Sequence, residues 1–164
     1  KSSLPKVYGG FNSSLSWKGF DLSAIFAYSI GGYIYNRDIT MILHNGSLEG
    51  RDWSTEILKR WTPDNRYTDV PALSTTSNDW NSASTRFLQN NSYMRLKNLT
   101  LSYNLPKQWI SKLSLSSVQV YVQGDNLFTI HRNQGLDPEQ GITGITYYRY
   151  PAMRTISGGI NVSF

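Results

Sequence analysis

The sequence contains no cysteine, few charged residues and no long apolar run, and each absence narrows what the chain can be. Without cysteine, neither a disulfide-stapled domain nor a thiolate metal site is available. Charged residues make up 16% of the 164 residues, whereas an ordinary soluble domain carries about 25%. No stretch reaches the roughly 18 consecutive apolar residues of a membrane-spanning helix. The chain begins at Lys1 without an apolar leader, which suggests a processed protein or a piece of a longer one.

Small polar and aromatic residues take the place of the missing charges. There are 21 Ser, 13 Asn and 12 Thr, and aromatic residues reach 13% of the chain. Disordered chains have few aromatic residues and many charges, so disorder is excluded. Coiled coils need Ala, Glu, Lys and Leu in bulk, so that class is excluded as well.

The positive charge is dispersed along the chain. The net charge is +5, yet residues 36–92 carry six basic and seven acidic side chains. The other ten basic side chains are scattered singly over the remaining residues. Because no Lys and Arg cluster falls on one predicted helix, the charge indicates a solvated surface and no nucleic-acid partner.

Five segments alternate apolar and polar residues with the period of two that is typical of a strand with one apolar face. Within the first segment, Val7, Phe11 and Leu15 share one parity and polar residues occupy the other. Lys18-Gly19 predicts a short turn that joins the first two segments into a hairpin. The predicted strands cover residues about 7–17, 20–30, 92–105, 115–129 and 154–164.

The third predicted strand changes parity part-way along its length. Leu99 and Leu101 lie on one face, whereas Met94 and Leu96 have the opposite parity. A β-bulge near Asn98 would bring all four side chains to the same face. The alternative is that the strand leaves the apolar layer at that point.

Two long connections, at residues 31–91 and 130–150, separate the strands. Compact domains rarely contain such loops unless the loops have a function or internal structure. Apolar side chains at every fourth residue predict a helix over 52–61, ended by the proline that follows. A shorter helical turn is expected over 39–44.

Short and long connections alternate along the chain, as they do in transmembrane β-barrels. The expected fold is therefore all-β, with about five antiparallel up-and-down strands and one long, partly helical loop. Bacterial single-chain barrels have at least about eight strands, so five cannot close a barrel. We therefore expect residues 1–164 to be the C-terminal segment of a larger transmembrane barrel, with both long loops extracellular.

A series of short motifs extends over nearly the whole chain. It includes Pro-Lys-Val-Tyr-Gly-Gly at 5–10, Tyr-Met-Arg-Leu-Lys-Asn-Leu-Thr-Leu-Ser-Tyr-Asn-Leu-Pro at 93–106, Val-Tyr-Val-Gln-Gly-Asp-Asn-Leu-Phe-Thr at 120–129 and Gly-Leu-Asp-Pro-Glu at 135–139. Further matching stretches are 17–22, 33–36, 60–65, 150–151 and the final strand to Phe164. In these motifs and in their order, the chain resembles the C-terminal end of SusC-type (RagA-like) TonB-dependent outer-membrane transporters.

The resemblance implies a barrel of about 22 strands, plugged by an N-terminal domain. It implies import of oligosaccharides or peptides across the outer membrane, in contact with its lipid. It also implies a SusD-like lipoprotein as a lid over the extracellular mouth, and coupling to TonB through an N-terminal part that is missing here. The family has no catalytic residues to carry over, so neither an enzyme nor a cofactor is expected.

Aromatic residues of the first long loop are candidates for contact with a ligand or a partner protein. Aromatic rings stack on sugars and anchor protein interfaces, and the loop carries Trp53, Trp61, Tyr67 and Trp80. The alternative is that Trp53 and Trp61 merely pack the predicted helix onto the barrel rim.

Charged and terminal residues complete the candidate set. Arg86, Arg95 and Lys97 could line the lumen and orient a polar substrate, or could be ordinary charges on the rim. The final residues Ile160, Val162 and Phe164 resemble the signal that the outer-membrane insertion machinery reads. A plain lipid-facing strand end would look the same.

The remaining sequence patterns do not indicate a catalytic, nucleotide-binding or metal-binding site. Asp137-Pro138-Glu139 is read as a turn rather than a cation site, since no third acidic ligand lies nearby in the sequence. His44 and His131 are far apart in the sequence and lack a metal-binding spacing, so no metal is expected. The nucleophile elbow, the Walker A loop and the dinucleotide fingerprint are all absent.

The alternative function is a secreted all-β carbohydrate-binding module with the tryptophans as its platform. The two functions differ in where the apolar faces lie. A transporter strand directs Phe20, Leu22, Phe26 and Tyr28 toward lipid, whereas a sandwich buries them against a second sheet.

Overall fold

The computed structural model describes residues 1–44, 48, 50–74, 76, 82–111, 115–133, 135–139 and 141–164. In chain order its strands are β1 (Val7–Trp17), β2 (Phe20–Ile30), β3 (Tyr33–Asn36), β4 (Leu88–Asn90), β5 (Tyr93–Asn104), β6 (Ser117–His131), β7 (Ile145–Thr146) and β8 (Thr155–Ser163). Strands β1, β2, β5, β6 and β8 form one antiparallel sheet in that order. The predicted fold class, about five antiparallel strands of a barrel with one long, partly helical loop, is confirmed.

One face of this sheet is apolar from strand to strand. A row of paired residues crosses four strands and consists of Leu15, Leu22, Leu101 and Val122. All four side chains are exposed. Within the described part of the chain, no second sheet covers them, as a β-sandwich would require.

The four residues whose surroundings distinguish a transporter strand from a β-sandwich, Phe20, Leu22, Phe26 and Tyr28, are also not buried against a second sheet. Phe20 and Leu22 are exposed. Phe26 and Tyr28 are half-buried. The residues that partly cover them belong to the neighbouring strand β1 and not to a second sheet. The ring of Phe26 stacks on Phe11 at a centroid distance of 4.7 Å, and Tyr28 packs over Gly9, where a Cβ would lie 3.0 Å from the Tyr28 hydroxyl.

The change of parity in β5 is explained by a bulge. Leu96 pairs with Phe26, and Asn98 pairs with the adjacent residue Ile25, so Lys97 is left without a partner on β2. The predicted bulge near Asn98 is confirmed. On the other side, Leu96 pairs with Phe128 and Asn98 with Asp125, so two residues of β6 lie opposite Lys97 and β6 carries one extra residue there.

A second structural unit, which we call the cap, lies beyond one end of the large sheet. It consists of the described residues of 31–91 together with β7. Its three-stranded sheet has the order β4-β3-β7, with β3 antiparallel to β4 and parallel to β7. The buried apolar side chains of the cap are Ile34, Leu43, Ile57, Val70 and Phe87.

The helices of the cap differ from those predicted. The helix expected over 52–61 is a shorter 3₁₀ helix, Thr55–Lys59, capped by Ser54. The helical turn expected over 39–44 begins earlier, as α1 (Arg37–Ile42), because Asn36 accepts a hydrogen bond from the Ile39 N–H and caps it. No helix among the described residues is long and apolar enough to cross a membrane.

The opposite end of the sheet has short connections. Lys18 and Gly19 both have positive φ and form the turn between β1 and β2. The link between β5 and β6 contains α2 (Lys107–Ile110). Aromatic rings collect here, since Phe20 packs on Tyr103 at a centroid distance of 4.4 Å.

Candidate functional site on the polar face

The second face of the large sheet is polar and internally hydrogen-bonded. Across β8, β6 and β5, the Asn161 amide donates to Gln119, whose own amide donates to Ser102. Farther along, the Asn98 amide donates to Asp125 at 2.7 Å. Polar side chains that satisfy one another in this way suit a wall that faces water.

Arg95 lies at the cap end of this polar face and is only 3% exposed. Its Nε donates to the Thr129 hydroxyl on the neighbouring strand at 3.0 Å. Its two terminal nitrogens donate to Asp137 at 2.6 Å and to Glu139 at 2.8 Å. A planar guanidinium with five donors suits three partners at once, so Arg95 fastens the second loop to the sheet.

Asp137 holds the other side of this arrangement. Its carboxylate accepts from the backbone N–H groups of Glu139 and Ala152 as well as from Arg95. Burial alone would raise the pKa of Asp137, but these donors outweigh it and lower the pKa below its usual range. The carboxylate therefore stays charged at neutral pH.

Glu139 is shared by two cations. Besides Arg95, the bulged residue Lys97 places its Nζ 2.6 Å from the Glu139 carboxylate. The stretch Asp137-Pro138-Glu139 is thus a loop segment held by two basic side chains. Among the described residues, no group of three His, Asp or Glu side chains could hold a metal ion.

Amide side chains hold the same loop from the cap side. The Asn91 amide donates to the Pro138 carbonyl at 2.9 Å, and the Asn133 amide donates to Asn91 at 3.0 Å. Beside this anchored loop lies an open cleft of about 330 Å³, whose walls include Arg149 and Arg154. The cap end of the polar face is therefore a shaped, cationic surface.

The aromatic candidates lie apart from this cleft. Trp53 packs edge-on against His44 at a centroid distance of 4.9 Å, which supports a packing role. Trp61 is partly exposed, and Tyr67 is fully exposed. Trp80 lies outside the described residues. The structure does not bring Trp53, Trp61 or Tyr67 together with Arg95.

The remaining candidates occupy two different surfaces. Arg86 is exposed on the cap, with its guanidinium 5.9 Å from the Phe87 ring centroid. Ile160 and Val162 lie on the apolar face of β8, paired with Val120 and Val118. Phe164 follows the last strand and is exposed.

Sequence reasoning missed the contact between β5 and the second loop. Arg95 and Asp137 are far apart in the sequence, and neither residue by itself indicates the other as its partner. The available signal was the parity of Arg95, which directs it to the polar face, together with two acids at alternate positions in a loop that returns to the same end. A second missed group lies in the cap, where the Tyr148 N–H donates to Asp38 and the Tyr148 hydroxyl lies 3.4 Å from Arg51.

The curated proteins that resemble the chain are named as TonB-dependent receptors. No family model matches the chain. The TonB-dependent receptor P3 of Formosa agariphila is 34% identical over 98% of the chain, and the TonB-dependent receptor SusC of Bacteroides thetaiotaomicron is 28% identical over 96%. The chain spans only 16% and 15% of their lengths.

Solved structures give the same result in three dimensions. The RagAB peptide importer in its open-open state superposes on the whole chain with a TM-score of 0.88 and 36% identity. The closed-closed state of the same importer gives a TM-score of 0.86. The chain again covers a small part, 18%, of the matched chain.

Proposed function

The chain belongs to the SusC/RagA type of TonB-dependent receptors, and we propose that it supplies part of the wall and mouth of an outer-membrane nutrient importer. One observation carries the proposal. Among the described residues of the large sheet, no apolar side chain is buried and most are exposed, whereas the buried side chains of Arg95 and Ser102 are polar. This inversion suits a sheet with lipid on one face and a hydrated lumen on the other.

In this proposal the cap and the second loop form part of the extracellular mouth. The imported substrate is an oligosaccharide or a peptide. The partner over the mouth is a SusD-like lipoprotein, and coupling to TonB lies in parts of the receptor outside this chain. The RagAB structures, described as those of a peptide importer, support this arrangement.

We propose the following roles for individual residues. Trp61, Tyr67, Trp80 and Arg86 are proposed to contact the substrate or the lipoprotein. Arg95 has its donors committed to Thr129, Asp137 and Glu139, so we assign it the positioning of the loop rather than direct contact. Ile160, Val162 and Phe164 are proposed as the segment recognised during insertion into the membrane.

The proposal is tested with two adjacent residues of β2 in the full-length receptor. Leu22 lies on the apolar face and Ser23 on the polar face. In a background without other reactive cysteines, Leu22→Cys and Ser23→Cys each receive the same small fluorophore, and the receptor is placed in vesicles. We expect brominated lipid to quench the label at position 22 and aqueous iodide to quench the label at position 23.

A label at Leu58, an exposed residue of the cap, is the control and should be quenched by iodide alone. Iodide quenching at both positions of β2, without any effect of brominated lipid, would contradict a lipid-facing wall. That outcome would favour a water-soluble binding module.

A further inference from the structure

A cleft of about 530 Å³ lies where the large sheet meets the cap. Its walls combine residues of the apolar face with residues of the segments that lead into the cap. The lining residues that matter here are Lys6, Ile30, Met94, Ile130 and Arg132. Ser29, Tyr93 and His131, which have the parity of the polar face, also line it. The Arg95 cluster (Arg95, Thr129, Asp137 and Glu139) does not line it, although His131 lines both clefts.

The floor of the cleft continues the apolar face of the sheet. Met94 is paired with Ile130 across β5 and β6, and Ile30 is paired with Val7 across β1 and β2. The side chains of Ile30, Met94 and Ile130 are exposed. Where the sheet faces lipid, this floor therefore meets acyl chains at the edge of the apolar layer.

The rim of the cleft is cationic. Lys6 and Arg132 line it, no acidic residue is among its lining residues, and neither cation has an ion pair within the described part of the chain. Gly31 keeps this place open for the Lys6 stem, because a Cβ at residue 31 would lie 3.0 Å from the Lys6 Cγ. Lys1 adds a third positive charge nearby, with its Nζ 4.2 Å from the ring centroid of the lining residue Tyr33.

We propose that this cleft binds a lipid with a phosphorylated headgroup in the leaflet at the cap end of the barrel. The acyl chains would lie on Ile30, Met94 and Ile130, and Lys6 and Arg132 would contact the phosphate. Lys and Arg are the usual phosphate donors, and each basic residue near a membrane surface strengthens the attraction to anionic lipid. The inference rests on the proposed function, since the floor meets lipid only if the sheet is a barrel wall.

The test uses the full-length receptor in non-ionic detergent and two probes with identical chains. Phosphatidic acid and diacylglycerol, each with a photoactivatable acyl chain, differ only in the phosphate. Crosslinking is measured on the peptides that carry Met94 or Ile130 as the lipid concentration is raised. We expect saturable labelling by phosphatidic acid and much weaker labelling by diacylglycerol.

The variant Lys6→Gln/Arg132→Gln removes both rim charges. At roughly a tenfold to thirtyfold gain from two basic residues, half-saturation should shift upward by that factor. The matched control, Lys18→Gln/Lys107→Gln, removes the same charge at the opposite end of the sheet and should leave half-saturation unchanged.

Three outcomes would overturn the inference. Equal shifts in both double variants would mean general attraction of anionic lipid, and equal labelling by the two lipids would mean that the phosphate is not recognised. Competition by millimolar inorganic phosphate would mean a site for the free anion. The proposed barrel wall is tested separately by the quenching experiment. If brominated lipid quenches the label at position 22 but not the label at position 23, any of these three outcomes contradicts only the lipid site and not the barrel wall.

Discussion

The large sheet and the cap are built from the same small polar and aromatic residues, yet they place them in opposite ways. In the cap, apolar side chains such as Ile34 and Phe87 form a buried core, beside which the polar side chains of Asn36, His44 and Thr146 are buried as well. In the sheet, Leu15 and Ile160 are exposed, whereas Arg95 is buried. The cap is organised for water, and the sheet is organised for an apolar surrounding on one face.

The difference shows that the burial of a side chain within this chain alone does not measure how much that side chain stabilises the folded protein. The cap obtains its stability from its own core, because burying a large apolar side chain contributes about 1.5–3 kcal/mol. In the proposed barrel wall, the apolar face of the sheet gains a comparable contribution only from lipid. Substitutions should therefore act differently in the two regions.

The largest expected effect is on the cap core. Phe87 is 2% exposed and contacts Tyr35 edge-on at a centroid distance of 6.2 Å. Phe87→Ala should destabilise the cap by about 3–5 kcal/mol, because it leaves a cavity. Hydrogen exchange of the full-length receptor should show loss of protection in β3. Phe128→Ala, on the lipid-facing side, is the matched control and should leave the exchange of β3 unchanged; an equal loss would erase the distinction.

The Arg95 cluster should be nearly as sensitive. Arg95→Leu leaves the Asp137 carboxylate buried without its cation, which costs about 3–5 kcal/mol in comparable pairs. The second loop should then become open to limited proteolysis. Because Asp137→Leu in the same chain removes the stranded charge, the double variant should recover most of the resistance. Additive damage in the double variant would show that the two side chains do not act as a pair.

A charge on the apolar face should cost less than the loss of the cap core. Leu99→Arg, near the middle of β5, should destabilise the receptor in vesicles by about 2–4 kcal/mol, the range seen for arginine at the bilayer centre. Leu58→Arg makes the same change on the cap, where the side chain is 72% exposed, and should have almost no effect. Denaturant unfolding in vesicles measures both. Equal losses would mean that the sheet does not face lipid.

The smallest effect is expected from pH. The pKa of Asp137 is lowered in the folded protein, so its contribution to stability is complete above its unfolded value of about 4 and declines as the pH falls through the lower folded value. Proteolytic resistance of the second loop should therefore be constant between about pH 7 and 5. Below about pH 4 it should fall in the wild type, whereas Asp137→Asn should be weakened at every pH.

The sequence predicts the sheet well because alternation is a local signal. Each of the five strands repeats its pattern over nine or more residues, so even the bulge at Lys97 is visible as a change of parity. The cap gives no such signal, since β3, β4 and β7 have only four, three and two residues. The helix expected over 52–61 was wrong for a related reason, because matching spacing alone does not distinguish a helix from a 3₁₀ turn.

The Arg95 cluster is harder to predict from sequence for a different reason. Its members come from a strand and from a loop about 40 residues later, and the pairing depends on how that loop returns over the sheet. A charged residue on a polar strand face looks the same whether it is solvated or buried. Only the third dimension separates the two.

The contacts that close the cap have a consequence for the order in which the chain acquires its structure. The Ser3 hydroxyl donates to the Ile142 carbonyl across 139 positions, and the Tyr148 N–H donates to Asp38 across 110. The β1–β2 hairpin needs only its own two-residue turn. Because closing a long segment costs more chain entropy than closing a hairpin, local hairpins should form early and the cap last. A completed cap therefore implies that strands of the large sheet that are distant in the sequence are already paired in their native registers.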